Sequence, residues 1–215
     1  MKSNRFLKFN SHPELYTPSG EQTHAFMSPS VGTWIDDDRT KFVNRYDNYN
    51  AKQRGTDIHE EAARLLNFMY RYPELGIKGI KGSGTFQMFV NESFKMGLQP
   101  EVPLRYSDIC YGFADAVAYD LKNNLLRISD LKTGLVIPAK FRQLDIYAAI
   151  LLLEYKQELE YVYDLDISKV IIEERIYQFD EVKINEPPFE LIAQYMDKIM
   201  EEHDWLNEEL NGRNE

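Results

Sequence analysis

The stretch that decides the fold covers residues 111–147 and reads YGFADAVAYDLKNNLLRISDLKTGLVIPAKFRQLDIY. Within it, two short apolar runs, 112–119 and 125–131, flank residues 120–124, whose Asn and Lys side chains suit a tight reversal of the chain. This pattern predicts a β-hairpin. If the hairpin ladder is symmetric about the turn, Asp115 lies opposite Asp130.

The two carboxylates of this hairpin would repel each other. Like charges directly opposed on one sheet face are destabilising, and their Cβ atoms are only about 5 Å apart. Strand side chains alternate between faces, so Lys132 points to the same side as Asp115 and Asp130. A shared cation would relieve the repulsion, and hard ions such as Mg²⁺ and Mn²⁺ prefer oxygen ligands. The face then suits hydrolysis of phosphodiesters, although an isolated Asp-x-Lys triplet is more typical of a solvated ion pair.

Further motifs lie around this point in a fixed order. Three of them are Gly112-Phe113-Ala114-Asp115, Asp130-Leu131-Lys132-Thr133-Gly134 and Gln143-Leu144-Asp145-Ile146-Tyr147. Two more lie upstream, Gly55-Thr56-Asp57-Ile58-His59 and Glu101-Val102-Pro103-Leu104. Over roughly residues 54–180 the chain resembles the RecB-like branch of the PD-(D/E)xK nucleases. More narrowly, it is similar to phage-encoded RecB-like exonucleases without an iron–sulfur cluster.

The resemblance implies an α/β fold with a restriction-endonuclease-like core, in which helices flank a central mixed β-sheet. It also implies one or two bound Mg²⁺ or Mn²⁺ ions. The implied metal ligands are His59, Asp115, Asp130, the backbone carbonyl of Leu131 and, as a further candidate, Glu101. Without the other motifs, a lone His near an apolar helix face is more often a core histidine. Glu101 could bind metal directly, act through water or cap the site.

The resemblance also assigns the remaining site residues. The implied catalytic residues are Lys132, Asp130, Asp115, Gln143 and Tyr147. Lys132 would position the attacking water, while Gln143 and Tyr147 would line the site and meet the DNA strand. The candidates for phosphate contacts with DNA are Gln143, Tyr147, Lys140, Arg142 and Lys81. Solvated surface charge is the alternative for Lys140 and Arg142, and a mobile loop is the alternative for Lys81. For Gln143 and Tyr147 the alternative is a polar pair at a helix surface.

Composition sets outer bounds on the protein. A length of 215 residues with 43% hydrophobic content suits one domain with a sizeable core. The sequence lacks an apolar run of about 18 residues and a secretory signal, so we expect an intracellular protein, in the host cytoplasm if phage-encoded, with no membrane association. Cys110 is the only cysteine, which excludes an internal disulfide and a four-cysteine iron–sulfur cluster.

Charge is distributed unevenly along the chain. The net charge is −10, yet residues 151–215 hold 18 acidic and 6 basic residues, while residues 1–150 hold 17 acidic and 19 basic residues. The acidity therefore belongs to the C-terminal third, and the first part can approach a phosphate backbone if metals neutralise some of its carboxylates. We expect a modest affinity for DNA that falls with salt.

We interpret residues 1–215 as a single nuclease domain with an irregular arm (1–34), a nuclease core (54–180) and an acidic C-terminal helix and tail (188–215). Hydrophobic periodicity predicts helices at 55–72, 85–96, 139–157 and 188–210, and strands at 99–106 and 170–179. Proline at 100 and 103 favours an edge position or a bulge for the first of these strands. The first helix should bury Ile58, Ala62, Leu65, Leu66 and Met69.

The favoured function is a metal-dependent deoxyribonuclease, an exonuclease that processes DNA ends in phage recombination or replication. Its expected partners are DNA and a phage single-strand-binding or annealing protein, and it could form oligomers. One alternative is a structure-specific or single-strand endonuclease with the same site. Another is a catalytically inactive RecB-like module that binds DNA or protein and recruits a partner through its acidic C-terminal helix.

Overall fold

A five-stranded mixed β-sheet with helices on both faces forms the centre of the molecule. The computed structural model describes residues 6–16, 22, 25–30, 32–49, 57–132 and 140–212. The strands are β1 (Gln99–Ser107), β2 (Cys110–Asp120), β3 (Leu125–Leu131), β4 (Ile171–Gln178) and β5 (Glu181–Asn185). They are ordered β1-β2-β3-β4-β5, and only β3 and β4 run parallel. The predicted α/β class and edge position of β1 are confirmed.

The predicted hairpin is present as β2 and β3. Its ladder pairs Ala116 with Ser129 and Asp120 with Leu125, which is the symmetric register expected from the sequence. Asp120 closes the turn because its side chain accepts hydrogen bonds from the Lys122 backbone N–H (3.1 Å) and the Asn123 amide (2.8 Å). The turn chemistry thus fixes which residues face each other across the two strands.

Helices cover the sheet on both faces. They are α1 (Arg39–Tyr49), α2 (Asp57–Arg71), α3 (Pro73–Gly76), α4 (Thr85–Met96), α5 (Arg142–Gln157) and α6 (Phe189–Gly212). Helix α5 packs between one sheet face and α6, while α2 and α4 cover the other face. No helix in the described part of the chain combines the length and apolarity needed to span a bilayer.

Several sequence predictions need correction. Strand β5 was not predicted, and it pairs with β4 through a two-residue turn in which Phe179 and Asp180 both have positive φ. Such a turn matches the twist of a hairpin, but it usually carries Asn-Gly or Asp-Gly, so Phe179-Asp180 gave no turn signal in the sequence. Ile58, predicted to be buried, is 45% exposed. The helix predicted from residue 139 begins at Arg142, and residues 133–139 lie outside the described residues.

Described parts of the N-terminal arm belong to the hydrophobic core. Leu7, Met27 and Trp34 are fully buried against the α5 side of the sheet. The Trp34 indole donates a hydrogen bond to the Ser28 carbonyl (3.0 Å), which satisfies its polar atom inside the core. The sequence did not reveal this burial, because these apolar residues follow no helical or strand period.

A buried pair of carboxyl groups links β4 to α5. Glu174 is fully buried and Asp145 nearly so, and Asn185 donates a hydrogen bond to Glu174 (2.8 Å). Burial, followed by the charge of Asp145, raises the pKa of Glu174 to about 9, and burial also raises the pKa of Asp145. A protonated Glu174 can donate a hydrogen bond to Asp145, so the pair stays within the core with one shared proton.

This pair predicts a pH-dependent stability. The folded state keeps a proton that an unfolded glutamate releases above its ordinary pKa of about 4.5, so this contribution to stability declines as the pH rises towards 9. The variant Glu174→Gln carries a permanent N–H donor instead. The difference in the free energy of unfolding between this variant and wild type should shift in favour of the variant by about 1–3 kcal/mol between pH 6 and pH 9. Urea titration at both pH values measures this difference.

Glu173→Gln is the matched control for that experiment. Glu173 lies on the opposite sheet face, is paired with Arg127 (3.1 Å) and Arg175 (2.8 Å), and has a lowered pKa, to which hydrogen bonding with Arg175 contributes. Because Glu173 is ionised throughout this pH range, its substitution should change stability by the same amount at pH 6 and pH 9. An equal pH dependence in both variants would contradict the shared proton.

Candidate metal centre

Three acidic residues occupy one row of the sheet, on three adjacent strands. Continuing the β1–β2 register places Glu101 opposite Asp115, and continuing the β2–β3 register places Asp115 opposite Asp130. The β1–β2 ladder skips its regular pair at this row, between Pro100–Ala116 and Val102–Ala114, and the β2–β3 ladder ends at Ala116–Ser129, one residue before the row. The backbone pairing is therefore interrupted beside the three carboxylates, and we call this interruption the opening of the sheet.

Asp115 occupies the middle of this row. Its Oδ2 atom accepts a hydrogen bond from the Leu131 backbone N–H (2.8 Å) and lies 3.0 Å from His59 Nδ1. Beyond the end of the regular β2–β3 ladder, the Asp115 side chain thus replaces a backbone carbonyl as the acceptor for a β3 N–H. The hydrogen bond that Asp115 accepts from His59 is the main cause that raises the pKa of His59. Helix α2 consequently holds its histidine directly against the acids of the sheet.

Glu101 reaches the same place through a strained backbone. Its φ of 49° is left-handed, which costs free energy in a residue with a side chain and is often found at functional sites. The Gln22 amide donates a hydrogen bond to its Oε2 atom (2.5 Å). Burial raises the pKa of Glu101 to about 7, and the charge of Asp115 adds to the shift.

His59, Glu101 and Asp115 form a compact donor set. One potential ligand atom from each lies within 4.8 Å of the others. Two carboxylates and an imidazole fit Mn²⁺ or Mg²⁺ by the chemistry of their donors.

Asp130 lies beside this set rather than within it. It is only 2% exposed, and Lys132 Nζ lies 3.0 Å from both of its carboxylate oxygens. The same ammonium donates a hydrogen bond to Gln143 Oε1 (2.7 Å). Burial and the charge of Asp115 raise the pKa of Asp130 to about 6. The ion pair therefore compensates only part of the cost of burying this carboxylate.

Tyr147 lies in the core directly behind the site. It is buried, and its hydroxyl donates a hydrogen bond to the Phe113 carbonyl (2.5 Å). A Cβ atom on Gly112 would lie 3.2 Å from its ring and 2.8 Å from Pro29, so the glycine makes room for the tyrosine. Burial raises the pKa of Tyr147, with contributions from Asp115 and Asp130. In this arrangement Tyr147 fixes α5 against β2, and a DNA contact remains a prediction.

The other predicted DNA contacts are more dispersed. Lys140 and Lys81 are exposed, and Arg142 at the start of α5 pairs with Asp36. Leu131 is buried, and its N–H binds Asp115 as described above. Of the motif residues, Gly55, Thr56, Thr133 and Gly134 lie outside the described residues.

Gln22 and Tyr16 are site neighbours that sequence reasoning missed. Gln22 binds Glu101, and Tyr16 packs edge-on against Phe113 with ring centroids 5.4 Å apart. The charge of Glu101 adds to the effect of burial in raising the pKa of Tyr16. Both residues come from the arm, where no periodicity or motif marks them.

Comparison with known proteins identified no relative of this chain. No protein-family model matches the chain, and no curated protein matches it in sequence. The function must therefore be argued from the row of carboxylates and its neighbours.

Proposed function

We propose that this protein is a metal-dependent deoxyribonuclease with a PD-(D/E)xK core, acting as an exonuclease on DNA ends in phage recombination or replication. The observation that carries the proposal is the row formed by Glu101, Asp115 and Asp130, with His59 and Lys132 at its borders. Carboxylates gathered in one row, with a lysine beside them, are the groups that this chemistry requires. The resemblance of the ordered motifs supplies the substrate class.

The metal would be held by His59, Glu101 and Asp115, with Asp130 as an adjoining acid. A bound Mg²⁺ or Mn²⁺ ion would lower the pKa of water and stabilise negative charge on a phosphate. The protein's own part is to keep these donors together at the opening of the sheet. The Leu131 N–H binds the Oδ2 atom of Asp115 and so fixes this side chain. The other carboxylate oxygen, Oδ1, does not take part in that hydrogen bond.

Lys132 is held where it can act on a phosphate or its attacking water. Hydrogen bonds to Asp130 and Gln143 fix its ammonium, yet its side chain remains 29% exposed. A positioned cation stabilises charge that develops in the transition state, without reorganising at the moment of reaction. Gln143 contributes by orienting Lys132 from the first turn of α5.

Metal binding is the first prediction of the proposed function. Mn²⁺ at 100 times its dissociation constant should stabilise the wild-type protein by about 2.7 kcal/mol, read as an increase in Tm. Asp115→Asn should abolish the increase, and Glu101→Gln should reduce it. Asp108→Asn is the matched control, because this acid lies on the same β1–β2 hairpin but is highly exposed. No increase in wild type would favour the inactive binding module instead.

Cleavage is the second prediction. Asp115→Asn, Asp130→Asn and Lys132→Ala should each reduce the rate of DNA hydrolysis by about 10²-fold or more, measured with end-labelled DNA and Mn²⁺. Lys122→Ala removes an exposed lysine from the turn at the other end of the same hairpin and should keep full activity. Circular dichroism would verify that each variant folds. Wild-type rates in a folded Lys132→Ala protein would contradict the assigned site.

The mode of cleavage is the third prediction. An exonuclease needs a DNA end, so linear DNA should disappear while covalently closed circles of the same sequence survive. Gel analysis of both substrates, mixed in one reaction with Mn²⁺, gives the comparison directly. Loss of the circles at a similar rate would instead establish the endonuclease alternative.

A further inference from the structure

An apolar surface remains exposed on α2 and the turn that follows it. It consists of exposed residues near the end of α2, in the turn that follows, and in or directly after α3. These residues are Phe68, Tyr72, Leu75 and Ile77, the last of them 79% exposed. Phe68 and Tyr72 stand one turn apart with their ring centroids 4.9 Å from each other. We call these four residues the outer aromatic stripe.

Basic side chains accompany the stripe. Residues 68–81 contain three basic residues and one acidic residue, although the whole chain carries a charge of −10. The three are Arg71, Lys78 and Lys81, and all are exposed, while Arg64, one turn before Phe68, is paired with Glu61. Aromatic faces interleaved with cations complement unpaired bases joined by phosphates, because bases stack on the rings while the cations follow the backbone.

The stripe lies apart from the metal centre. Phe68 follows His59 by nine residues, which places it about 14 Å along the helix and, at about 100° per residue, on the opposite side. His59 faces the acids of the sheet, so Phe68 faces outwards. A DNA strand bound on the stripe would therefore not be the strand whose phosphate lies at the metal centre.

We propose that the outer aromatic stripe binds single-stranded DNA, namely the strand that is not being cut. This inference rests on the proposed nuclease function for the identity of the substrate. Helix α2 then has a different role on each side. His59 faces the metal centre, and Phe68, together with Tyr72 just after the helix, contacts the unpaired strand. The occupant is a polyanion because the surface combines exposed rings with a local excess of positive charge.

Binding without divalent metal tests the proposal separately from cleavage. Fluorescence anisotropy with a labelled oligothymidylate in EDTA should show that Phe68→Ala/Tyr72→Ala binds at least about tenfold more weakly than wild type. Tyr161→Ala/Val162→Ala is the matched control, since these residues are also highly exposed but lie between acidic residues at the far end of α5. The control should bind like wild type.

The salt dependence separates the two kinds of contact. Arg71→Ala/Lys78→Ala should flatten the slope of log K against log salt by about 0.7 for each lost phosphate contact, while the aromatic double variant keeps the wild-type slope. Unchanged affinity in the aromatic variant would overturn the proposal. So would an oligomeric wild type that this variant converts to monomers in light scattering, because the stripe would then be a subunit interface.

The outcomes also distinguish the two proposals. Stripe-dependent binding by a protein that never cleaves DNA would support the binding surface and refute the nuclease. Metal-dependent cleavage with binding that ignores Phe68 and Tyr72 would support the nuclease and refute the surface. Duplex DNA bound as tightly as the oligothymidylate, with the same loss in the variant, would also refute the single-strand assignment.

Discussion

Electrostatic repulsion within one row of a β-sheet is the constraint on which this site depends. Glu101, Asp115 and Asp130 occupy neighbouring strands, and each is partly neutralised in a different way. Asp115 accepts hydrogen bonds, Asp130 pairs with Lys132, and Glu101 has a pKa raised to about 7. Hydrogen bonds spread the negative charge without removing it, so the row remains a place where a cation is favourable.

The rest of the fold keeps these acids from moving apart. The turn at Asp120 sets the register of β2 and β3, and cores on both sheet faces hold the strands from either side. Helix α5 is buried through most of its length, and Tyr147 anchors it to β2 beside Gly112. Rigid elements can hold charged groups in an unfavourable arrangement that flexible loops would relax.

The sequence predicted the hairpin because apolar alternation and turn residues act locally, and the register then followed from symmetry. It also predicted α4 over residues 85–96, and it singled out Glu101 as a further candidate ligand. It did not predict β5, because Phe179-Asp180 is not one of the residue pairs typical of a two-residue hairpin turn. It could not predict the burial of Leu7 and Trp34, since this burial depends on partners distant in the chain. The Asp145–Glu174 pair was missed for the same reason: α5 and β4 place together two carboxyl groups that are 29 residues apart in sequence.

The most direct measurement of the central claim is anomalous scattering from crystals of the protein soaked in Mn²⁺. The account predicts a manganese peak at the opening of the sheet, within bonding distance of Glu101 and Asp115 and adjoining His59 or Asp130. Occupation should leave the β2–β3 register unchanged, because the acids are already gathered there. A well-ordered crystal with no peak at this row, or with manganese bound only elsewhere, would contradict it.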